Sequence, residues 1–304
     1  MIRIRKILCP IDFFPASKGA ADYAVALAKN YRARLIFLHV VEPFASVTGY
    51  EVPINLEELT ESMVNSATEE LAKVAKRAEA KGVRVESVIR TGNVDLEIAA
   101  AIRVRKADLV VMGTHGRRGF ERWFAGSVTE RLLRRTKVPL LTMGNTKEKA
   151  GPAAIRRILV TTDFSAGTSD AFAYAFSVAK ECRAEVTVLH VLDDISADIA
   201  GRYREGLIES IREKLDNLVP AGIRNGSKVT ARVETGRPGK RILNILEAGK
   251  YDLLVMNIHG KGMFDRVTIG STAERIVRSA PIPVLFIPPK AEAKRLKKQG
   301  RKAA

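Results

Sequence analysis

The sequence is poor in the residues that most often announce chemistry. Its 304 residues include two cysteines, four histidines and a single tryptophan. Cys9 and Cys182 cannot form a disulfide framework, and neither has a thiol or imidazole partner at metal-ligand spacing, so disulfide scaffolds and zinc modules are excluded. Cys9 lies inside an apolar run and reads as a buried structural thiol. Long hydrophobic runs are also missing. The apolar stretch after the basic N-terminus is broken by Pro10 and stopped by Asp12, so it fails as a secretory leader. No segment approaches the roughly 20 apolar residues that span a membrane. A soluble, reducing, cytoplasmic setting is the expectation. There is no Gly-Lys-Ser/Thr phosphate loop and no Ser-His-Asp arrangement. No nucleophile, general base or magnesium site can be assigned.

What the sequence does hold is an ordinary globular composition with an excess of positive charge. Hydrophobic residues make up 46% and charged residues 28%, enough to bury cores in two domains of usual size. The net charge is +17, and residues 291–304 alone hold 6 Lys/Arg against 1 Asp/Glu. That tail can touch nucleic acid or an anionic surface, although a solvated end that aids solubility is the reading preferred here.

The two halves repeat each other. Ile7–Phe13 matches Ile158–Phe164 at an offset of 151, and Leu38-His39-Val40 matches Leu189-His190-Val191 at the same offset. From Thr91-Gly92, matching Thr235-Gly236, the offset is 144. The second half has therefore lost seven residues between its second and third strands, within the region matching Glu42–Lys81. Length changes cost least in such a loop-and-helix segment. The expected division is a first domain over 1–143, a linker over 144–155, a second domain over 156–289 and a basic tail over 290–304.

Each half alternates strand and helix. In the first, strands are expected near Arg3–Ile11, Arg34–Val41, Val83–Ile89, Leu109–Met112 and Val138–Met143. Helices are expected near Ser17–Tyr31, Glu57–Lys81, Asp95–Arg105 and Ser127–Thr136. Continuous apolar strands joined by helices predict an α/β fold: two repeated doubly wound, parallel five-stranded sheets with helices on both faces. If strand order reverses beside the first strand, the ends of the first and fourth strands flank one crevice, where such sheets bind ligands.

Gly113-Thr114-His115-Gly116 is followed by nine residues and then Gly126-Ser127, directly after the apolar run Leu109–Met112. A glycine loop between a strand and a helix lets backbone N–H groups converge on phosphate oxygens, helped by the helix dipole. The glycines would permit close approach and positive φ, although each alone could be a turn glycine. Ser127 could donate to a phosphate or cap its helix. Asp12 could accept from a ribose hydroxyl or adenine amino group, or cap the first helix. The second copy reads Asn257-Ile258-His259-Gly260, nine residues, then Gly270-Ser271, so its first glycine is lost. His39 and His190 lie in apolar strands and read as hydrogen-bonded core residues. His115 and His259 sit in the loops. Arg117, Arg118 and Arg122 place charge beside the first loop, which would favour a triphosphate.

On these residues the chain resembles tandem members of the universal stress protein family, over both halves. The family's Gly-x2-Gly-x9-Gly-Ser/Thr signature is met at every defined position in the first half. The resemblance implies an adenine-nucleotide α-hydrolase-like fold that binds ATP, with or without magnesium, in stress response, with at most slow hydrolysis. It implies that Pro10 and Asp12 adjoin the adenosine and that the Val40 backbone takes the adenine edge. Met112 and Gly113 would line the ribose and phosphate entrance, and Gly116, Gly126, Ser127 and Val128 would hold phosphates. The corresponding second-half residues include Asp163, Val191, Gly260, Gly270 and Ser271. There Asn257 is expected to crowd the sugar and phosphates and weaken binding. The related ligases and adenylyl transferases carry a Ser-Gly-Gly loop or a His-x-Gly-His motif, and neither occurs. The resemblance further implies pairing of Val138–Thr142 with Ile282–Phe286 as an internal pseudo-dimer, with a homodimer through the helices also open.

Overall fold

The computed structural model describes residues 2–43, 55–114, 127–144, 155–165, 167–193, 197–220, 223, 228–259 and 269–288. The first lobe holds β1 (Lys6–Pro10), α1 (Pro15–Tyr31), β2 (Arg34–Val41), α2 (Leu56–Glu79), β3 (Val85–Thr91), α3 (Val94–Arg105), β4 (Leu109–Gly113), α4 (Ser127–Arg135) and β5 (Leu140–Met143). The second repeats the order with β6 (Arg157–Thr161), α5 (Thr168–Cys182), β7 (Glu185–Leu192), α6 (Ala197–Leu218), β8 (Val229–Thr235), α7 (Pro238–Glu247), β9 (Leu253–Asn257), α8 (Ser271–Ser279) and β10 (Val284–Ile287).

All ten strands join one sheet, ordered β3-β2-β1-β4-β5-β10-β9-β6-β7-β8. Every pairing is parallel except the central one, where β5 and β10 run antiparallel with Leu141 opposite Leu285. The expected internal pairing of the two last strands is therefore present. Pro139 and Pro283 immediately precede those strands, where a missing N–H is tolerated. Their carbonyls are used, accepting from Val110 N at 3.0 Å and Leu254 N at 3.1 Å.

Residue parity sorts the core, because successive strand side chains point to opposite faces. Ile7, Cys9, Leu35 and Phe37 face the layer of α1, α2, α5 and α6. Leu8, Ile36 and Leu38 face the layer of α3, α4, α7 and α8. Cys9 is fully buried, and burial pushes its thiol well above the ordinary range, as suits an inert packing residue. Between α1 and α5 the lobes leave an apolar cavity of about 40 Å³ lined by residues such as Ile4, Tyr23, Leu141 and Leu285. It has room for a few waters, not for a nucleotide.

β1 begins at Lys6 rather than near Arg3, for a reason that lies outside the strand. The Asp108 carboxylate accepts from the N–H groups of Arg5 and Lys6 at 2.8 and 2.9 Å, which anchors the strand start to the entrance of β4. Asp252 does the same for Arg156 and Arg157, both at 2.8 Å. Across the lobes, the Arg278 guanidinium of α8 reaches both carboxylate oxygens of Glu130 on α4.

Candidate functional site

β1 pairs with β2 on one side and β4 on the other, with Ile7 opposite Leu109 and Leu8 opposite Val110. Connections therefore leave in opposite directions at the C-terminal ends of β1 and β4, which is where an open α/β sheet forms its crevice. β6 and β9 repeat the arrangement. Because β5 and β10 are antiparallel, the strand ends that form the two crevices point in opposite directions along the continuous sheet.

The turn after β1 forms one wall of the first crevice. Pro10 ends the strand, half-buried. Asp12 Oδ1 accepts from Phe14 N at 3.0 Å, and the Ser17 hydroxyl accepts from Asp12 N at 3.3 Å while donating to Phe14 O at 3.0 Å. Phe14, not Asp12, is the N-cap of α1, and it makes no side-chain cap. Asp12 thus orders the turn ahead of the helix with one carboxylate oxygen. Phe13, between them, has φ 66°, an unfavourable region for a bulky residue. Its ring stacks on His39 at a centroid distance of 4.6 Å. His39 Nδ1 lies 2.7 Å from Ile11 O, so this nitrogen carries the proton. His39 therefore holds both the turn and the strand end, one residue before half-buried Val40.

The second crevice reproduces this wall. Asp163 Oδ1 accepts from Ser165 N at 2.9 Å, Phe164 has φ 60°, and His190 Nδ1 lies 2.8 Å from Thr162 O. The Phe164 and His190 rings are 4.7 Å apart. Thr162 and Thr168 replace Ile11 and Ser17 and share a 2.7 Å hydrogen bond between hydroxyls. Val191 is buried beyond them. The paired Asp-Phe and the two strand histidines were visible in the sequence. Their mutual contact was not anticipated.

Opposite stands the end of β4. Met112 is buried and Gly113 half-buried. A Cβ on Gly113 would lie 2.8 Å from the carbonyl carbon of Ala16 and 2.9 Å from its oxygen. The glycine allows β4 to meet the start of α1, and its φ does not lie in the left-handed region. Thr129 of α4 donates to Gly113 O at 3.4 Å, which seats the helix N-terminus over the strand end. Ser127 is the first residue of α4 and Val128 is half-buried beside it. Gly116, Gly126 and the Ser127 side chain lie outside the described residues, as do His115, Arg117, Arg118, Arg122 and Trp123.

More of the corresponding closure is described in the second lobe. Gly270 N donates to Ile258 O at 3.1 Å, bringing the far end of that loop back to the end of β9. Gly270 is the N-cap of α8 and supplies no side-chain cap, and Ser271 is the first helical residue. Ser271 therefore does not cap its helix, and the helix start presents amides towards the crevice side, a favourable place for an anion. Gly260 lies outside the described residues. Asn257 was expected beside the sugar and phosphates. Its amide lies against Gly167, where a Cβ would come 3.0 Å from Asn257 Cγ. With the amide oriented to satisfy both ends, it donates to Gly167 O at 3.0 Å and accepts from Thr168 N at 3.2 Å.

Among the described residues no group of three or more His, Cys, Asp or Glu could hold a metal ion. No helix among them is long and apolar enough to cross a membrane.

The repeated crevices agree with comparison to known proteins. The profile of the Universal stress protein family matches residues 3–143 and again 154–288. The chain belongs to the universal stress protein family. It is similar to a universal stress protein of Mycolicibacterium smegmatis, with 27% identity over 292 residues, 93% of this chain and 97% of that protein. A shorter universal stress protein of Methanocaldococcus jannaschii is 34% identical over 147 residues, covering 48% of this chain and 85% of the relative. Among solved structures, a universal stress protein from Archaeoglobus fulgidus superposes with a TM-score of 0.70 at 25% identity, covering 95% of this chain and all of the other. Tandem universal stress domains of the α/β class thus account for the whole sheet.

Proposed function

We propose that this universal stress protein is a cytoplasmic, ATP-binding regulator or sensor in stress response, with the first lobe as its main nucleotide site. The observation that carries the proposal is the first crevice, where the Asp12 turn faces a strand end that opens the complete Gly113, Gly116, Gly126-Ser127 pattern. In this reading Asp12 accepts from the ribose with the carboxylate edge that the turn leaves over. Pro10 and Val40 border the adenine, and Met112 lines the sugar. The glycine-loop amides and the start of α4, with Ser127 and Val128, hold the phosphates, with or without magnesium. Asp163, Val191, Gly260, Gly270 and Ser271 form the weaker counterpart in the second lobe.

ATP binding and release, not rapid turnover, is the proposed activity. The Asp12 carboxylate and the two strand histidines serve the turn, and no positioned base or nucleophile accompanies them among the described residues. Mass spectrometry of nucleotide released from the purified protein tests the proposal. ATP near one equivalent per chain is expected, and protein that carries none and takes up none after stripping contradicts it.

A further inference from the structure

The second lobe has lost a glycine at the end of β9 and gained one at the start of α5. Asn257 stands where the first lobe has Gly113, and Gly167, at the 151-residue offset, stands where the first lobe has Ala16. These exchanges face each other. In the first lobe a Cβ at Gly113 would fall 3.0 Å from Ala16 Cβ. In the second, a Cβ at Gly167 would fall 3.1 Å from both Asn257 amide heteroatoms. Each lobe keeps one of the two contact positions free of a side chain, but on opposite walls.

The exchange also adds bonds. Gly167 is the N-cap of α5 and has no side chain with which to cap it. The Asn257 amide accepts from Thr168 N, which also donates to Ser165 O at 3.1 Å, and donates to Gly167 O, so the other wall adds two bonds to the start of α5. Thr168 is in turn bonded to Thr162, beside Asp163. The Asn257 side chain thus ties the end of β9 to the turn that carries Asp163.

From this we infer that Asn257 is a positioning residue of the second crevice, holding the Asp163 turn at the separation a nucleotide needs, instead of an obstruction left by a decayed motif. The inference rests on the nucleotide reading of the crevices. It predicts that restoring the family glycine harms the second site. Asn257→Gly, facing Gly167, leaves both positions bare and removes both cross-wall bonds, whereas Asn257→Gly with Gly167→Ala rebuilds the first-lobe contact.

The test is an ATP titration of full-length, ligand-stripped protein. Calorimetry reads both crevices, and the fluorescence of Trp123, which lies in the first glycine loop, follows the first alone. Asn257→Gly should weaken second-crevice binding roughly tenfold, as expected when a binding wall shifts, and lower Tm, while the Trp123 titration is unchanged. The double variant should recover both. Tighter second-crevice binding by Asn257→Gly would overturn the inference, as would a double variant no better than the single one. Uptake by the first crevice only in the parent protein overturns the role of Asn257 and leaves the first-lobe reading intact. Absence of ATP from both crevices overturns that reading too.

Discussion

In the first crevice a bare strand end meets an alanine; in the second, an asparagine meets a bare helix start. Both lobes nevertheless hold the same Asp-Phe turn, the same histidine bond and the same strand neighbours. The difference teaches that the leading glycine of the motif answers to the helix start packed against it. Its replacement can be judged only together with the residue it touches. A substitution that looks like decay along the chain is, across the crevice, half of a compensated pair.

The harshest way to break the comparison is Gly113→Val. Its Cβ would fall 2.8 Å from the Ala16 backbone, so a loss of about 2–3 kcal/mol is expected, together with loss of ATP uptake by the first crevice. Thermal unfolding and calorimetry check the two effects. A sharper variant moves the second lobe's solution into the first. Gly113→Asn alone should be destabilising by overpacking, and adding Ala16→Gly should recover only part of the loss, because it removes the contact with Ala16 Cβ and leaves those with the Ala16 carbonyl. A double variant as unstable as the single one would mean that the contact pair is not transferable.

A smaller effect separates the lobes electrostatically. Glu234 on β8 bonds Arg241 of α7 at 2.9 Å through Nε and Arg232 at 2.7 Å, whereas the first lobe has Arg90 at the matching position. Burial opposes its ionisation, but the two guanidiniums outweigh burial and hold the carboxyl below its ordinary range. A depressed carboxyl contributes stability that is complete above the unfolded-state range and lost as pH falls through the folded one. Glu234→Gln should therefore cost about 1 kcal/mol at neutral pH and progressively less in acid, as read from unfolding curves across the acid range. The smallest effect is expected from deleting Ala291–Ala304. Salt-sensitive binding to polyanions should fall, and ATP affinity should stay within about twofold of the parent.

Much of this architecture was legible along the chain. The repeat offsets located every strand, and continuous apolar runs such as Leu109–Met112 require cover on both faces. The central pairing of Val138–Thr142 with Ile282–Phe286 was legible only through the family resemblance, not from the pattern of either segment. Features that depend on distant contacts were harder to read. Phe13 adopts a left-handed conformation against local preference because its ring rests on His39. Gly167 looks like an ordinary turn glycine until Asn257, 90 positions later, is found against it. The start of β1 is set by Asp108, which belongs to another strand's entrance. Local pattern reports which residues are buried and when an element turns. It does not report which side chain from elsewhere fills the gap.

The central claim, that the first crevice holds ATP, is tested most directly by calorimetric titration of ligand-stripped protein alongside Gly113→Val. The account predicts saturable uptake dominated by one site in the parent and loss of that site in the variant. A parent protein that gives no binding heat and retains no nucleotide would contradict it.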